Sequence, residues 1–330
     1  MINWGIIGAG NIANRFAASL ENFQDAQLYG VACRTMEKAQ AFQAKFPCDA
    51  VFDDYQNLLD DPAIDVVYIA LPHLYHYEWI IKAFQAKKAV LCEKPATLTA
   101  QEMCDVQKQA QAHEVFFMEA MKPRFTPAYR KLKELVDGGY IGELTSVTTT
   151  FRRHLPVEGS TYHYLPKQGG ALLDMGIYNL AFIQDFSPEN LTAELIDYSL
   201  YETGVDTYVE ARFVSEDFVA VIETGFDQTK ETVAELQGTK GKITVPNFHR
   251  PASFTVTIDQ EDTIYDIGYE IDDFHSEIQA VHTALAQGQL ENPLMSLTDS
   301  IACIALADEL RSLLEAEKKR QLRSYPIVFE

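Results

Sequence analysis

Two groups of residues in this chain are spaced for chemistry. The first is Gly8-Ala9-Gly10-Asn11-Ile12-Ala13, a G-x-G-x-x-A run near the start. Such a run suits a pyrophosphate. Gly8 permits a tight turn, Gly10 lets the backbone approach the phosphates, and small Ala13 lets a helix pack closely on the preceding strand. The unpaired N–H groups and dipole of that helix then face the anion, with Asn11 and Ile12 beside the glycines. A short glycine run alone is weak evidence. Here it follows an apolar strand pattern, opens a helical pattern and begins a βαβ unit, which is the context a dinucleotide site requires.

The second group is split. Cys92-Glu93-Lys94-Pro95 follows a predicted parallel strand, and ligands of such sheets sit beyond the carboxyl ends of the strands. A Lys fixed there by a Pro is well placed beside a nicotinamide, although Lys-Pro alone is an ordinary surface turn. Further on, Gly169-Gly170-Ala171-Leu172-Leu173-Asp174-Met175-Gly176-Ile177-Tyr178 sets Asp174 and Tyr178 four apart, on one face of a helix. That face is apolar, and an unpaired Asp there is costly. Either the pair serves a substrate, or Asp174 caps a helix and Tyr178 is core.

Together these residues suit hydride transfer to or from a secondary alcohol. The cofactor supplies the hydride chemistry, and the protein supplies positioning and a base. Tyr is a poor base at its free pKa of about 10, and a Lys ammonium nearby lowers it. With these residues around one reacting carbon, as the family resemblance given below implies, Tyr178 is the expected general acid/base and Lys94 its electrostatic partner. Asp174 is expected to orient Lys94 or bind a second hydroxyl. The reversed assignment, with Lys94 moving the proton, stays open.

An NAD site usually carries Asp or Glu roughly 20 residues past the glycines, for the ribose 2′-hydroxyl. This chain has Cys33-Arg34-Thr35 there. Arg34 can pair with a 2′-phosphate or stack on adenine, so NADP(H) is the preferred cofactor and NAD(H) a possible one. Leu71, Pro72 and His76 follow another strand end and join Glu93 and Lys94 among the expected cofactor residues, although His76 equally suits packing. His73-x-x-His76 lacks further ligands, and no metal is predicted. Met121, Phe151 and Tyr162 are candidate substrate contacts, an aromatic core being the alternative for the rings.

The elements that must position these residues alternate at first. Strands are predicted at Trp4–Gly8, Leu28–Cys33, Val66–Leu71, Ala89–Cys92 and Val115–Met118. Helices are predicted at Asn11–Leu20, Thr35–Lys45, Tyr75–Ala86 and Ala100–Ala112. That alternation implies a parallel sheet with right-handed crossovers, the Rossmann arrangement. The pattern then changes: a helix over Pro127–Asp137, a strand over Leu144–Phe151, and a glycine-opened helix between Gln168 and Phe186. Alternating segments from Leu191 to Ile267 include Tyr208–Val214 and Phe218–Thr224, and helices close the chain at Asp272–Ala286 and Leu297–Lys318. The expected fold class is α/β, with a Rossmann domain over 1–121 and a C-terminal α+β domain with a largely antiparallel sheet over 122–330. A length of 330 residues suits two domains.

The net charge of −21 repels phosphate backbones and anionic membranes, which argues against nucleic acid and membrane partners. No apolar stretch approaches the roughly 18–20 residues of a bilayer span. The start lacks the pattern of a signal peptide. Five cysteines in unpatterned spacing read as reduced thiols, and a cytoplasmic location is expected.

The chain resembles the glucose-fructose oxidoreductase/inositol dehydrogenase (Gfo/Idh/MocA) family. The resemblance rests on the glycine turn, Glu93-Lys94-Pro95, Met118-Glu119-Ala120 with Arg124-Phe125 and Pro127, Gly142-Glu143-Leu144, Gly170 to Gly176, and Gly238-Thr239-Lys240-Gly241-Lys242-Ile243. Tyr178 stands where inositol-dehydrogenase members generally carry His, and so resembles the dimeric dihydrodiol dehydrogenase and aldose (xylose-type) dehydrogenase branch. Gln168 stands where many members have a third Gly, and Met121 where the dihydrodiol branch often has an aromatic. The resemblance implies that Lys94, Asp174 and Tyr178 surround the reacting carbon of a sugar, polyol or vicinal diol. It also implies an open-faced C-terminal sheet that forms a homodimer. A nicotinamide-dependent glycosidase is an alternative, which would release free sugar without net cofactor reduction. A non-catalytic NADP-sensing regulator is another, but it would not need Lys94 and Tyr178.

Overall fold

The computed structural model describes residues 1–158, 162–188 and 190–324. They form two compact units that are not contiguous in sequence. The first holds Met1–Asp137, His249–Phe254 and Ile264–Ile301; the second holds Gly138–Phe248, Thr255–Thr263 and the described residues from 302 on.

The first unit alternates β1 (Ile2–Ile7), α1 (Asn11–Leu20), β2 (Ala26–Ala32), α2 (Met36–Lys45), β3 (Ala50–Phe52), α3 (Tyr55–Asp60), β4 (Val66–Ile69), α4 (His76–Gln85), β5 (Ala89–Glu93), α5 (Ala100–His113) and β6 (Phe117–Ala120). Its six strands lie in the order β3-β2-β1-β4-β5-β6, every pair parallel. The order reverses between β1 and β4, the switch point where doubly wound sheets bind ligands. Central strands covered on both faces must be continuously apolar, and all four residues of β4 are buried. The buried Tyr68 hydroxyl is satisfied by Glu93 Oε1 at 2.5 Å, and its ring stacks on Phe16 at 3.8 Å. β3 and α3 lack any sequence signal, since three half-buried residues and a six-residue helix show no periodicity.

The expected boundary after residue 121 falls within this unit, because α6 (Pro127–Asp137) belongs to it too. So do segments from more than a hundred residues later. Trp4 Nε1 donates to His282 Nε2 at 3.0 Å, and Arg15 pairs with Asp273. Local periodicity cannot reveal such long-range joining.

The second unit is built on β7 (Leu144–Arg152), α7 (Ile177–Phe186), β8 (Thr192–Leu200), β9 (Asp206–Val214), β10 (Val219–Gly225), β11 (Val233–Gly238) and β12 (Gly241–Pro246). With β13 (Ser253–Ile258) and β14 (Glu261–Asp266) these strands form an eight-stranded sheet, ordered β14-β13-β12-β11-β7-β10-β9-β8. It is largely antiparallel, as expected, but β7 and β10 pair in parallel. One face buries Val147, Thr149, Ile222, Leu236 and Val245, while Thr148, Glu235 and Gln237 of the other face are exposed. α7 lies on the buried face, where Asn179 Nδ2 donates to Thr149 Oγ1 at 3.0 Å and to its carbonyl at 3.2 Å. α8 (His275–Ala286) belongs to the first unit, and α9 (Leu297–Ser324) closes the described chain.

Candidate active site

In the first unit, the expected dinucleotide residues gather at the carboxyl ends of the parallel strands. Gly8 has φ +96°, and a Cβ there would lie 2.6 Å from the Ala70 carbonyl oxygen. Glycine is required by the turn itself. Gly10 differs: its φ of −79° suits any residue, and a Cβ would meet nothing within 4 Å. Its missing side chain serves no neighbour in the fold and leaves a cradle open. Gly10 is also the N-cap of α1 and provides no side-chain cap, so the first N–H groups of the helix need another acceptor. Gly10 and Asn11 are exposed and Ile12 half-exposed. These features fit a pyrophosphate.

Arg34 is exposed just past β2, and Thr35 caps α2 by accepting from the Lys38 N–H at 3.4 Å. Burial raises the nearby Cys33 thiol, with Lys38 acting against it. Arg34 thus stands just past β2, where an NAD site carries an acid, and Lys38 follows in the first turn of α2 beside Glu37. The sequence reading missed Lys38 because it looked only at the strand's last residues.

The turn carrying Lys94 follows β5. Glu93, Pro95 and Ala96 are buried, and Lys94 is half-exposed. The Lys94–Pro95 peptide is cis. Three buried side chains hold this turn. Glu93 accepts from the Tyr68 hydroxyl and, at 3.3 Å, from Lys122 Nζ. Burial alone would raise the Glu93 carboxyl, but Lys122, the Tyr68 hydroxyl and Lys94 outweigh it and hold it below the usual range. Glu119 Oε1 accepts from the Ala96 N–H at 2.9 Å; burial lifts its carboxyl above the usual range despite that bond. His76 is fully buried, with Nδ1 2.8 Å from the Pro95 carbonyl oxygen and Nε2 2.7 Å from that of Leu71. Burial pulls its imidazolium down, against the two carbonyls that favour it. His76 therefore ties the half-exposed Leu71-Pro72 segment to the Lys94 turn, rather than presenting a nitrogen outward. Met121 is fully buried just past β6.

In the second unit, Asp174 and Tyr178 share one segment, but it is not a uniform α-helix. Leu172–Gly176 form a π turn that holds Asp174, and α7 begins only at Ile177. Single π turns occur frequently at functional sites. The segment starts at Gly170, φ +111°, where a Cβ would strike Asp206 Oδ1 at 2.4 Å. Asp206 Oδ2 accepts from the Leu172 N–H at 2.6 Å; burial raises its carboxyl, against that bond. Gly176 allows close approach to β10, its added Cβ falling 3.0 Å from Thr224 Cγ2. Tyr178 is 9% exposed, with its ring 6.1 Å from Phe151. The half-exposed Tyr162 stacks at 4.3 Å on His163, whose Nε2 lies 3.7 Å from Asp174 Oδ2. Sequence reasoning missed His163, which belongs to no motif, and Asp206, which lies 34 residues from its partner.

Among the described residues no cluster of His, Cys, Asp and Glu could hold a metal ion, and no helix is long and apolar enough to cross a membrane.

Residues 2–121 match an oxidoreductase family with an NAD-binding Rossmann fold, GFO/IDH/MocA, and residues 129–244 match the GFO/IDH/MocA C-terminal domain. A trans-1,2-dihydrobenzene-1,2-diol dehydrogenase of Xenopus laevis is 30% identical over 328 residues, covering 93% of this chain and 96% of that protein. A 3-ketoreductase from Actinomadura kijaniata, solved with NADP and TDP-benzene, is 26% identical, with a TM-score of 0.84 over 94% of this chain and 97% of that one. An aldose-aldose oxidoreductase from Caulobacter crescentus shares the fold at 16% identity and a TM-score of 0.87, covering 96% and 98%. With both domains matched and a relative aligned over nearly its whole length, the chain belongs to the GFO/IDH/MocA oxidoreductase family.

Proposed function

We propose that this enzyme transfers a hydride between NADP and a secondary alcohol or carbonyl of a sugar, polyol or vicinal diol. The observation that carries the reading is the Lys94 turn. Three buried side chains fix it beyond a parallel strand, in the same unit as a glycine turn whose open cradle fits a pyrophosphate. The vicinal diol class is supported by the Xenopus laevis relative, and NADP by Arg34 just past β2 with Lys38 in the first turn of α2.

When bound, the nicotinamide accepts or donates the hydride. Tyr178 takes the proton of the reacting hydroxyl during oxidation and returns it during reduction. The Lys94 ammonium stabilises the oxygen as it loses its proton. Asp174 accepts a hydrogen bond from a second hydroxyl. The exposed face of the eight-stranded sheet is the proposed homodimer surface, and five free thiols suit a cytoplasmic location.

The test is a panel of aldoses, polyols and vicinal diols with NADP and NAD supplied separately, followed by absorbance of the reduced nicotinamide. Reduction of NADP by one substrate group, abolished in Tyr178→Phe, is expected. An enzyme that binds NADP tightly yet reduces it with no member of the panel refutes the proposal.

A further inference from the structure

We propose that His163 is a positioning residue for Asp174, holding its carboxylate ready for the hydroxyl next to the one that reacts. This inference rests on the functional reading above and deepens it, since it makes the site selective for substrates with neighbouring hydroxyls.

Side chain and backbone of His163 serve the same element. Its Nε2 faces Asp174 Oδ2 at 3.7 Å, the two side chains being 21% and 17% exposed. The ring is oriented by packing. Tyr162 stacks on one face at 4.3 Å, and Phe226 meets the ring edge-on at 5.6 Å. The His163 carbonyl accepts from the Gly170 N–H at 2.8 Å. The same carbonyl oxygen would lie 2.3 Å from a Cβ on Gly169, so the glycines before the π turn leave room for it. His163 is thus fixed to the turn that carries Asp174, at the main chain and through its ring.

The ring nitrogen turned away from Asp174 points to the tautomer. Nδ1 is buried with no hydrogen-bond partner among the described residues. A neutral imidazole carries one proton, and a buried N–H without an acceptor is costly. The proton therefore belongs on Nε2, aimed at Asp174. A distance of 3.7 Å exceeds the 3.2 Å or so of a formed hydrogen bond. A sub-ångström turn of the carboxylate closes it when a substrate hydroxyl arrives. A carboxylate with a donor already aimed at one oxygen needs only that small turn, which lowers the cost of orienting the substrate.

His163→Phe keeps the ring between Tyr162 and Phe226 but removes the donor. His163→Gln restores an N–H at the reach of Nε2. With the best diol or sugar of the panel, His163→Phe should raise KM about 10- to 100-fold, the worth of a charged hydrogen bond. Its kcat should fall less, and its affinity for NADP should not change. His163→Gln should return KM to within about threefold of wild type. If His163→Phe fails to bind NADP, His163→Leu is read in its place. An unchanged KM in the variant lacking the donor overturns the inference alone, as does a His163→Gln variant as impaired as His163→Phe. A wild-type enzyme inactive on the whole panel overturns the functional reading and this inference with it.

Discussion

Replacing Gly10 by Ala should separate binding from folding. The residue has φ −79° and ψ −174°, and an added methyl meets no atom within 4 Å. Removing glycine's freedom from the unfolded chain stabilises by about 0.4–1 kcal/mol at such a position. Alanine is a poorer N-cap than glycine by a similar amount, roughly 0.5–1 kcal/mol. The two terms nearly cancel, so the unfolding midpoint should stay within about 2 °C of wild type. The methyl nevertheless occupies the approach to the helix N–H groups. Displacing a pyrophosphate from one or two charged hydrogen bonds weakens binding about 10- to 100-fold. Gly8→Ala is the contrast. Its φ of +96° and the Ala70 carbonyl oxygen 2.6 Å from the new Cβ forbid the substitution without movement. Backbone strain and crowding together should cost about 2–6 kcal/mol. Thermal unfolding without ligand and calorimetric titration with NADP measure both quantities. A Gly10→Ala protein that binds NADP as tightly as wild type refutes the assignment of this turn to the pyrophosphate. One as unstable as Gly8→Ala refutes the reading of its geometry.

Lys94→Met should lower turnover by about a hundredfold or more, far more than it weakens NADP binding; equal losses in both, by single-turnover kinetics and titration, would make Lys94 a cofactor anchor instead. Arg34→Ala should weaken NADP about 10- to 100-fold and leave NAD nearly untouched; parallel titrations that show equal losses would assign Arg34 to the adenine. Stability should fall in acid because His282 must stay neutral, its Nε2 accepting from Trp4 Nε1. Burial depresses the His282 pKa, against the pull of Asp25, and burial depresses that of His76 too. At these two histidines protons therefore bind preferentially to the unfolded chain: their contribution is complete above the unfolded value of about 6.5 and declines as pH drops below it, whereas the raised Glu119 and Asp206 carboxyls act in the opposite sense only at lower pH. Unfolding midpoints at pH 8, 6.5 and 5 test this, and a midpoint that holds steady down to pH 5 would contradict it.

What the sequence made legible was contiguous. Gly8 and Gly10, the Lys94-Pro95 turn, and Asp174 with Tyr178 each announce themselves within a few residues, because a turn or a helix face is local chemistry. The parallel sheet was legible for the same reason, since β4 is apolar at every position. What stayed hidden depends on residues far apart. Nothing near Trp4 indicates that His282 completes it. Nothing in Leu172 points to Asp206, nor in Ala96 to Glu119. The π turn is invisible because the residues of Leu172–Gly176 would suit an α-helix equally well. Met121 shows the limit from the other side: an apolar residue just past a strand reads alike as pocket wall or core, and its full burial is not legible from its neighbours.

The hidden residues share one physical task. Lys94 and Asp174 stand on turns, and a turn has few hydrogen bonds of its own to keep it still. In the first unit, buried Glu93, Glu119 and His76 hold the Lys94 turn. In the second, the Asp206 carboxylate and the His163 carbonyl hold the start of the Asp174 segment. Each hydrogen bond to a buried carboxylate is worth about 1.5–3 kcal/mol. Removing one thus costs stability and placement together, so lost activity in a Glu119 or Asp206 variant would not distinguish a support from a participant. A residue whose backbone bond survives substitution does distinguish them. His163 meets that condition, since its carbonyl keeps Gly170 whatever the side chain. A change in KM there that His163→Gln reverses comes from the ring nitrogen facing Asp174.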